Sequence, residues 1–262
     1  MAIISIKDLS FRYPGTKKYI LNSFSWQKDQ AGSIGLLGKN GSGKTTLLRL
    51  LTGNLTPNHG SILLDQGEIK KFKQKGKITY VPENARLFLI GPTPKKDLSR
   101  IINEQKIVNA LLDKYSLNSI ADKKLYHLSE GQRRLIALFI AFQIPSRLLL
   151  IDEPTIGLDF RGRNLLFQLL SQAKQQRKLV IVSTNDARIF PKLDELLIIQ
   201  NGSPFLQGTP QEILFKLEKN TELIPNQIVR LITFLEEKTG KKIPHSLTSG
   251  EFNQFLIDGK VF

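Results

Sequence analysis

The sequence contains no cysteine, and its only histidines, His59, His127 and His245, lie far apart along the chain. A disulfide framework and a thiolate metal site are therefore excluded, and the histidines lack the spacing of metal ligands. Any chemistry must come from carboxylates, backbone amides and bound phosphate. With 262 residues, of which 40% are hydrophobic, the chain can form one large domain, or one domain with a small appendage.

Long apolar runs are also missing. Residues 1–8 lack the apolar stretch of a signal peptide, and no run approaches the roughly 20 residues of a membrane-spanning helix. We therefore expect a protein that is made and kept in the cytoplasm. The net charge of +15 suits nucleic acid or the anionic face of a membrane as a partner, and equally a basic surface that binds neither.

The first third of the sequence predicts short strands separated by glycine and proline, with one helix among them that begins at Gly43 and ends near Gly53. The predicted strands span residues 3–9, 24–26, 33–37, 61–64 and 78–81. Apolar residues at helical spacing then indicate an inserted helical lobe over residues 84–145.

The second half of the sequence has the pattern of a parallel sheet. Continuous apolar runs at 148–151 and 179–182, separated by a helix over 163–175, are typical of strands that are covered on both faces. Asn201 and Gly202 predict a hairpin turn between two further strands.

A phosphate-binding loop is predicted after the strand that ends at Leu37, because residues 38–45 match the pattern G-x-x-x-x-G-K-[ST]. Its glycines let backbone N–H groups surround phosphates, and the N-terminus of the next helix adds positive partial charge. Lys44 would reach the terminal phosphates, and Thr45 would give its hydroxyl to Mg²⁺. The predicted nucleotide-binding residues here are Gly38, Lys39, Asn40, Gly41, Ser42, Gly43, Lys44, Thr45 and Thr46.

Two acidic residues, Asp152 and Glu153, directly follow the apolar run at 148–151. The carboxyl end of a buried strand is where ligands of open α/β sheets bind. Asp152 would hold Mg²⁺ through oxygen, and Glu153 would orient or deprotonate the attacking water. A polar turn ahead of Pro154 is the alternative, and it is the weaker interpretation beside a phosphate loop.

A third motif, L-S-E-G-Q at residues 128–132, lies between the phosphate loop and the acidic pair, and this order of motifs resembles the ATP-binding cassette (ABC) family. Read alone, Ser129 and Gln132 form a capping box at the start of a helix. The resemblance implies an α/β P-loop NTPase cassette: a mixed sheet with a RecA-like core, an antiparallel β subdomain and an inserted helical subdomain. It also implies that Ser129, Gly131 and Gln132 contact ATP bound to the opposite subunit of a dimer.

Further matches refine the resemblance. Tyr13 lies where family members stack an aromatic ring on adenine, and residues 157–159 resemble the loop that crosses the dimer interface. Residues 83–89 and the tail are similar to the ATP-binding A-components of energy-coupling factor transporters, which import vitamins or transition-metal ions. We therefore expect a nucleotide-binding domain over residues 1–220 and a helical appendage over 221–262.

Three residues depart from the family pattern: Glu83 replaces a glutamine, Glu130 a glycine and Asn185 a histidine. Glu83 can still bind Mg²⁺ but offers no N–H donor to the reacting groups. The loss of one such donor typically costs about 10²–10³ in rate, so we expect ATP to bind well and to be hydrolysed slowly in this chain's own site. The predicted catalytic residues are Glu153, Glu83 and Asn185, and the predicted metal ligands are Thr45, Asp152 and Glu83.

The resemblance implies a transport motor at the cytoplasmic face of the cell membrane, peripherally bound. Its expected partners are a second cassette of more regular sequence, a transmembrane coupling subunit and a substrate-binding membrane subunit, with no nucleic acid. One alternative is an ATPase associated with nucleic acid or ribosomes, for which the charge of +15 is the only positive sign. Another is a nucleotide-sensing subunit without useful hydrolysis.

Overall fold

The computed structural model describes residues 3–186, 188–210 and 212–213, so the predicted appendage over 221–262 lies outside the described residues. Its strands are β1 (Ile4–Phe11), β2 (Leu21–Lys28), β3 (Gly32–Leu37), β4 (His59–Leu64), β5 (Gly67–Glu68), β6 (Ile78–Val81), β7 (Leu148–Asp152), β8 (Leu179–Ser183), β9 (Glu195–Gln200) and β10 (Ser203–Gly208). Its α-helices are α1 (Lys44–Leu51), α2 (Ile69–Gln74), α3 (Pro94–Ser99), α4 (Gln105–Lys114), α5 (Asn118–Ala121), α6 (Glu130–Gln143) and α7 (Phe160–Gln175).

The central sheet has the strand order β10-β9-β3-β8-β7-β6. All its neighbouring pairs are parallel except β10 with β9. Every residue of β3, β7 and β8 is buried, as expected of strands with both faces covered. Asp152 pairs with Ser183, and Ser183 pairs with Leu36, so the carboxyl ends of these three strands lie side by side.

The second sheet is antiparallel, with the order β2-β1-β4-β5. Its inward residues, among them Ile4, Ile6 and Phe24, are buried. They share one hydrophobic cluster with the leucines of α1 and with residues of β3, β7 and β8. Helix α1 is therefore held by both sheets, and its N-terminus is placed at the carboxyl end of β3.

The helices α3 to α6 precede β7 and pack on the other face of the central sheet, in a cluster that also contains α7. The capping box at the start of α6 is confirmed. Ser129 Oγ accepts a hydrogen bond from Gln132 N at 3.2 Å, and Gln132 Oε1 accepts one from Ser129 N at 3.0 Å. The N-terminus of this helix is thus fixed by its own sequence.

Strand β2 and helix α2 differ most from the sequence-based expectations. Strand β2 is longer than the predicted residues 24–26, because it pairs along most of β1 despite a left-handed backbone at Ser23 (φ +46°). Helix α2 was not predicted, since Ile69 is its only buried residue and lysines fill much of the rest. Among the described residues, no helix is long and apolar enough to cross a membrane.

Candidate nucleotide-binding site

The loop between β3 and α1 needs glycine at two positions. Gly38 has φ +156°, and a Cβ atom there would lie 2.5 Å from the carbonyl oxygen of Ile199. Gly43, which precedes the first residue of α1, has φ +105°, and a Cβ atom there would lie 2.8 Å from a methyl group of Leu21. The loop that these glycines shape and the N-terminus of α1 both border one cavity, and the N-terminus of a helix favours an anion.

Lys44 is the buried cation of this loop. Its Nζ donates hydrogen bonds to the carbonyl oxygens of Gly38 at 2.6 Å and Lys39 at 3.3 Å. Burial lowers the pKa of Lys44, while the nearby carboxylates of Glu153 and Asp152 act in the opposite direction. The ammonium group is therefore held within reach of the acidic pair by contacts that a phosphate can replace.

A cavity of about 620 Å³ opens between the loop and the carboxyl ends of β7 and β8. It is lined by Ile20, Asn40, Gly41, Gly43, Lys44, Thr45, Thr46, Glu83, Asp152, Glu153, Ile156, Ser183 and Asn185. The structure thus brings together the predicted metal ligands and the predicted catalytic residues, although four chain segments supply them. Gly38, Lys39 and Ser42 lie in the same loop beside the lining residues.

Asp152 has a free acceptor at this cavity. Its Oδ1 atom is buried and has no hydrogen-bond partner among the described residues, whereas Oδ2 accepts a bond from the Tyr80 hydroxyl at 3.4 Å. Burial, together with Asp152, raises the pKa of Tyr80 to about 12, so this hydroxyl stays a donor. An unsatisfied carboxylate oxygen of a residue that lines the same cavity as Thr45 fits a magnesium ion, which binds few protein oxygens and completes its shell with phosphate and water. In the described part of the chain, no three or more His, Asp or Glu side chains form a group that could hold a metal ion.

Glu153 has a left-handed backbone (φ +46°), which is uncommon for a residue with a side chain. Its amide donates to the carbonyl oxygen of Ser183 at 2.8 Å. Burial raises the pKa of its carboxyl group, and a hydrogen bond from Thr184 and the charge of Lys44 oppose that shift. A carboxylate that is partly desolvated in this way is a better proton acceptor than one in water.

Arg134 completes the site, and sequence reasoning missed it. The side chain is buried, and its guanidinium donates to the carbonyl oxygens of Glu153, at 2.6 Å, and of Glu83. Its helical spacing from the buried Ala137 and Leu138 puts it on the inner stripe of α6, and that spacing is the signal that could have revealed it.

The three departures from the family pattern line two cavities: Glu83 and Asn185 line the nucleotide cavity, and Glu83 and Glu130 line a second one. Asn185 Oδ1 accepts a hydrogen bond from Gly38 N at 3.4 Å, and Glu83 is exposed at the cavity. Glu130, the first residue of α6, is exposed too and faces a second cavity of about 410 Å³, which Glu83 and Arg134 also line.

Ser129, Gly131 and Gln132 lie at the start of α6 and are not among the residues that line the nucleotide cavity. Their predicted role in binding ATP of an opposite subunit stays a prediction. So does the stacking of Tyr13, whose ring packs edge-on against Phe11 at 5.1 Å and is likewise not among the lining residues. The Tyr13 hydroxyl lies 3.4 Å from Thr46 Oγ1.

Comparison with known proteins gives consistent results. The sequence pattern of the family described as ABC transporter matches residues 21–156. The chain is 30% identical over 266 residues to a protein of Methanosphaera stadtmanae named energy-coupling factor transporter ATP-binding protein EcfA, with 95% of this chain and 92% of the relative covered. A protein of the same name from Methanocaldococcus jannaschii is 28% identical over 275 residues, with 98% of both chains covered.

A solved structure shares the fold. It is cbiO1 from Clostridium perfringens, described as part of the ABC transporter complex cbiONQ, which has a TM-score of 0.70 at 24% identity and covers 82% of this chain and 91% of that one. At this identity the likeness shows the fold alone. The α/β P-loop cassette predicted from the sequence is confirmed.

Proposed function

Because the chain belongs to the ABC transporter family, as an ATPase subunit of the energy-coupling factor type, we propose that it drives import by hydrolysing ATP in the cavity described above. The prediction of a transporter ATPase is confirmed, and the relatives do not favour a nucleic-acid-associated ATPase or a pure nucleotide sensor. One observation carries the assignment of the site: the phosphate loop, the buried Lys44 and the acidic pair line a single cavity.

ATP is the nucleotide, and the loop over residues 38–46 binds its phosphates. Backbone amides at the start of α1 and the ammonium group of Lys44 neutralise the triphosphate. Thr45, Asp152 and Glu83 are the proposed ligands of a magnesium ion, which, when bound, neutralises phosphate charge and orients the terminal phosphates. The partner-free Oδ1 atom of Asp152 supports that assignment.

Glu153 is the proposed general base. Its carboxylate lies at the same cavity as Lys44, and its raised pKa makes it a competent acceptor for a proton of the attacking water. Glu83 and Asn185 would contact the terminal phosphate region from the other walls. Glu83 lacks an N–H donor and Asn185 directs its oxygen to Gly38, so we propose that this site hydrolyses ATP slowly.

We further propose that the chain works beside a second cassette of more regular sequence. In a homodimer both sites would combine Glu83, Glu130 and Asn185. In a heterodimer, the second site would take its phosphate loop and hydrolytic residues from the partner. Of the three departures it would contain only Glu130, so it would turn over faster. Ser129, Gly131 and Gln132 are then the residues offered to the nucleotide of that second site.

A membrane-embedded partner is expected where the loop at Glu83 meets the helical lobe. Leu87 and Ile90 are 76% and 73% exposed there and are the two most exposed large apolar side chains among the described residues. Apolar side chains exposed together are typical of a surface that binds another protein. Next to them, a cavity of about 360 Å³ is lined by residues that include Arg86, Leu89 and Tyr126. These observations support a peripheral position at the cytoplasmic membrane face, with a coupling subunit and a substrate-binding subunit as separate chains.

The domain boundary remains part of the proposal: a nucleotide-binding domain over residues 1–220 and an appendage over 221–262.

The proposed function is tested by purifying the tagged chain from membranes and identifying the chains that accompany it. We expect a second cassette and a membrane protein. Vigorous ATP turnover by a verified homodimer, abolished by Glu153→Gln, would instead refute the unequal sites.

A further inference from the structure

Arg134 connects two segments that are distant in sequence. Its guanidinium donates to the carbonyl oxygen of Glu83, in the loop after β6, and to that of Glu153, directly after β7. Strands β6 and β7 are parallel neighbours, with Val81 opposite Ile151, so both segments leave the sheet at the same edge. The side chain of Arg134 therefore connects two places in the fold. One is the loop at Glu83, which leads to the exposed Leu87, and the other is Glu153, the proposed general base.

The bond to Glu153 acts on an unfavourable backbone. A left-handed conformation at a residue with a side chain persists only where the surroundings enforce it. At Glu153 two hydrogen bonds do so: the amide donates to Ser183, and the carbonyl accepts from Arg134. Because the backbone angles decide where the side chain points, Arg134 takes part in aiming the Glu153 carboxylate.

Burying Arg134 is energetically unfavourable, so packing alone does not explain its position. It is only 2% exposed, on a stripe of α6 that is otherwise apolar, and burying a guanidinium costs far more than burying a leucine of similar size. Its charge is balanced by the two carbonyl oxygens and, at longer range, by Glu130, Glu83, Glu153 and Asp152. Two different nitrogens of its guanidinium each donate to one of these carbonyl oxygens, whereas a lysine would have to reach both from a single nitrogen.

We propose that Arg134 is a positioning residue that links the Glu83 loop mechanically to the hydrolytic carboxylate. Since one rigid guanidinium holds both carbonyls, a partner that displaces the Glu83 loop also moves Glu153, and docking is thereby converted into a change of hydrolysis rate. The inference rests on the proposed roles of Glu153 and of the loop, but the physical link itself can be measured without turnover.

The test compares Arg134→Met, which removes the donors, and Arg134→Lys, which keeps the charge but replaces the two donating nitrogens with one. The matched control is Lys178→Met. Lys178 is also a buried cation that donates to two carbonyl oxygens, those of Phe142 and Ile144 at 2.9 Å each, but at the opposite end of α6. For each full-length variant we would measure ATP affinity by calorimetry, kcat for hydrolysis, the melting temperature, and amide hydrogen exchange over residues 82–86 and 152–155 without nucleotide.

We expect Arg134→Met to lower kcat by about 10- to 100-fold while ATP affinity changes less than about threefold, because orientation is lost and phosphate binding is not. Exchange should become faster in both segments together. Arg134→Lys should recover the melting temperature but not kcat. Lys178→Met should lower the melting temperature with kcat kept within about threefold of the wild type.

Several results would overturn the link: wild-type kcat in Arg134→Met, faster exchange in one segment only, or equal losses of kcat in the Arg134 and Lys178 variants. If Arg134→Met does not fold, Arg134→Lys decides by the same criteria. Failure of the wild type to bind or hydrolyse ATP would refute the proposed function instead, and the exchange of the two segments would still test the link.

Discussion

The side-chain oxygen of Asn185 lies 3.4 Å from the amide nitrogen of Gly38 and accepts a hydrogen bond from it. The residue that closes the cavity on the β8 side is thus turned toward the phosphate loop. Its acceptor oxygen binds the backbone of that loop. Because the asparagine amide is uncharged, it places no charged donor in the cavity. The absence of a charged donor at this position is the structural reason for the slow hydrolysis that we propose.

Replacing Asn185 with histidine should therefore accelerate hydrolysis. The longer imidazole can present a donor to the terminal phosphate, and we expect kcat to rise about tenfold or more. Single-turnover hydrolysis by the full-length chain measures this effect. Asn185→Ala serves as the control and should give no increase; equal rates for the histidine and alanine variants would show that this position does not limit the reaction.

Glu153→Gln should stabilise the nucleotide-free protein at neutral pH. Burial raises the pKa of Glu153 above its ordinary value of 4.5, so the folded state binds the proton more tightly than the unfolded chain. The resulting destabilisation is absent below the unfolded pKa and grows as pH rises through the folded pKa. At pH 7.5 we expect the variant to melt at a higher temperature than the wild type, and the difference to shrink in acid.

Scanning calorimetry at several pH values tests that expectation. Glu68→Gln is the control, because Glu68 is exposed in β5 and its replacement should leave the melting temperature unchanged. A Glu153→Gln variant that melts no higher than the wild type at pH 7.5 would mean that the carboxylate is not destabilised by its site.

Gly131→Ala should destabilise the protein, because the added Cβ atom would lie 2.2 Å from the carbonyl oxygen of Gly157. A backbone atom cannot rotate away as a side chain can, so the loop around Gly157 must shift. We expect a loss of about 1–3 kcal/mol in the free energy of unfolding, measured by urea titration. In Gly162→Ala, the tightest neighbour is a methyl group of Leu158 at 3.2 Å, and little change is expected. Equal stability of the two variants would contradict the crowding at Gly131.

The sequence allowed the central sheet to be predicted well and its margins poorly. Strands β7 and β8 are covered on both faces, so all their residues are apolar or buried. Such unbroken apolar runs are easy to recognise in the sequence, even where the exact ends of the strands are not. Strand β2 is partly exposed, and only its residues around Phe24 to Trp26 carried a clear pattern. Helix α2 buries one side chain, so its lysines gave no periodic signal.

The same contrast holds at the site. Asp152 ends strand β7, and Lys44 begins the helix that follows strand β3 after a short loop. Both strands could be predicted, and the topology of a parallel sheet brings strand ends together. Arg134 depends on which carbonyl groups reach α6 once the chain has folded, and nothing local to residues 130–136 specifies Glu83 or Glu153 as its partners. Contacts made through the backbone of distant segments are invisible to motif spacing.

The loop over residues 38–46 is proposed to bind the phosphates of ATP. Calorimetric titration of the full-length chain with ATP in excess Mg²⁺ measures this binding. We predict saturable binding that Lys44→Met weakens about 10- to 100-fold, since a charged hydrogen bond to phosphate is lost, and that Lys73→Met, in exposed α2, leaves unchanged. No binding by the wild type, or equal affinity in the Lys44 variant, would contradict the account.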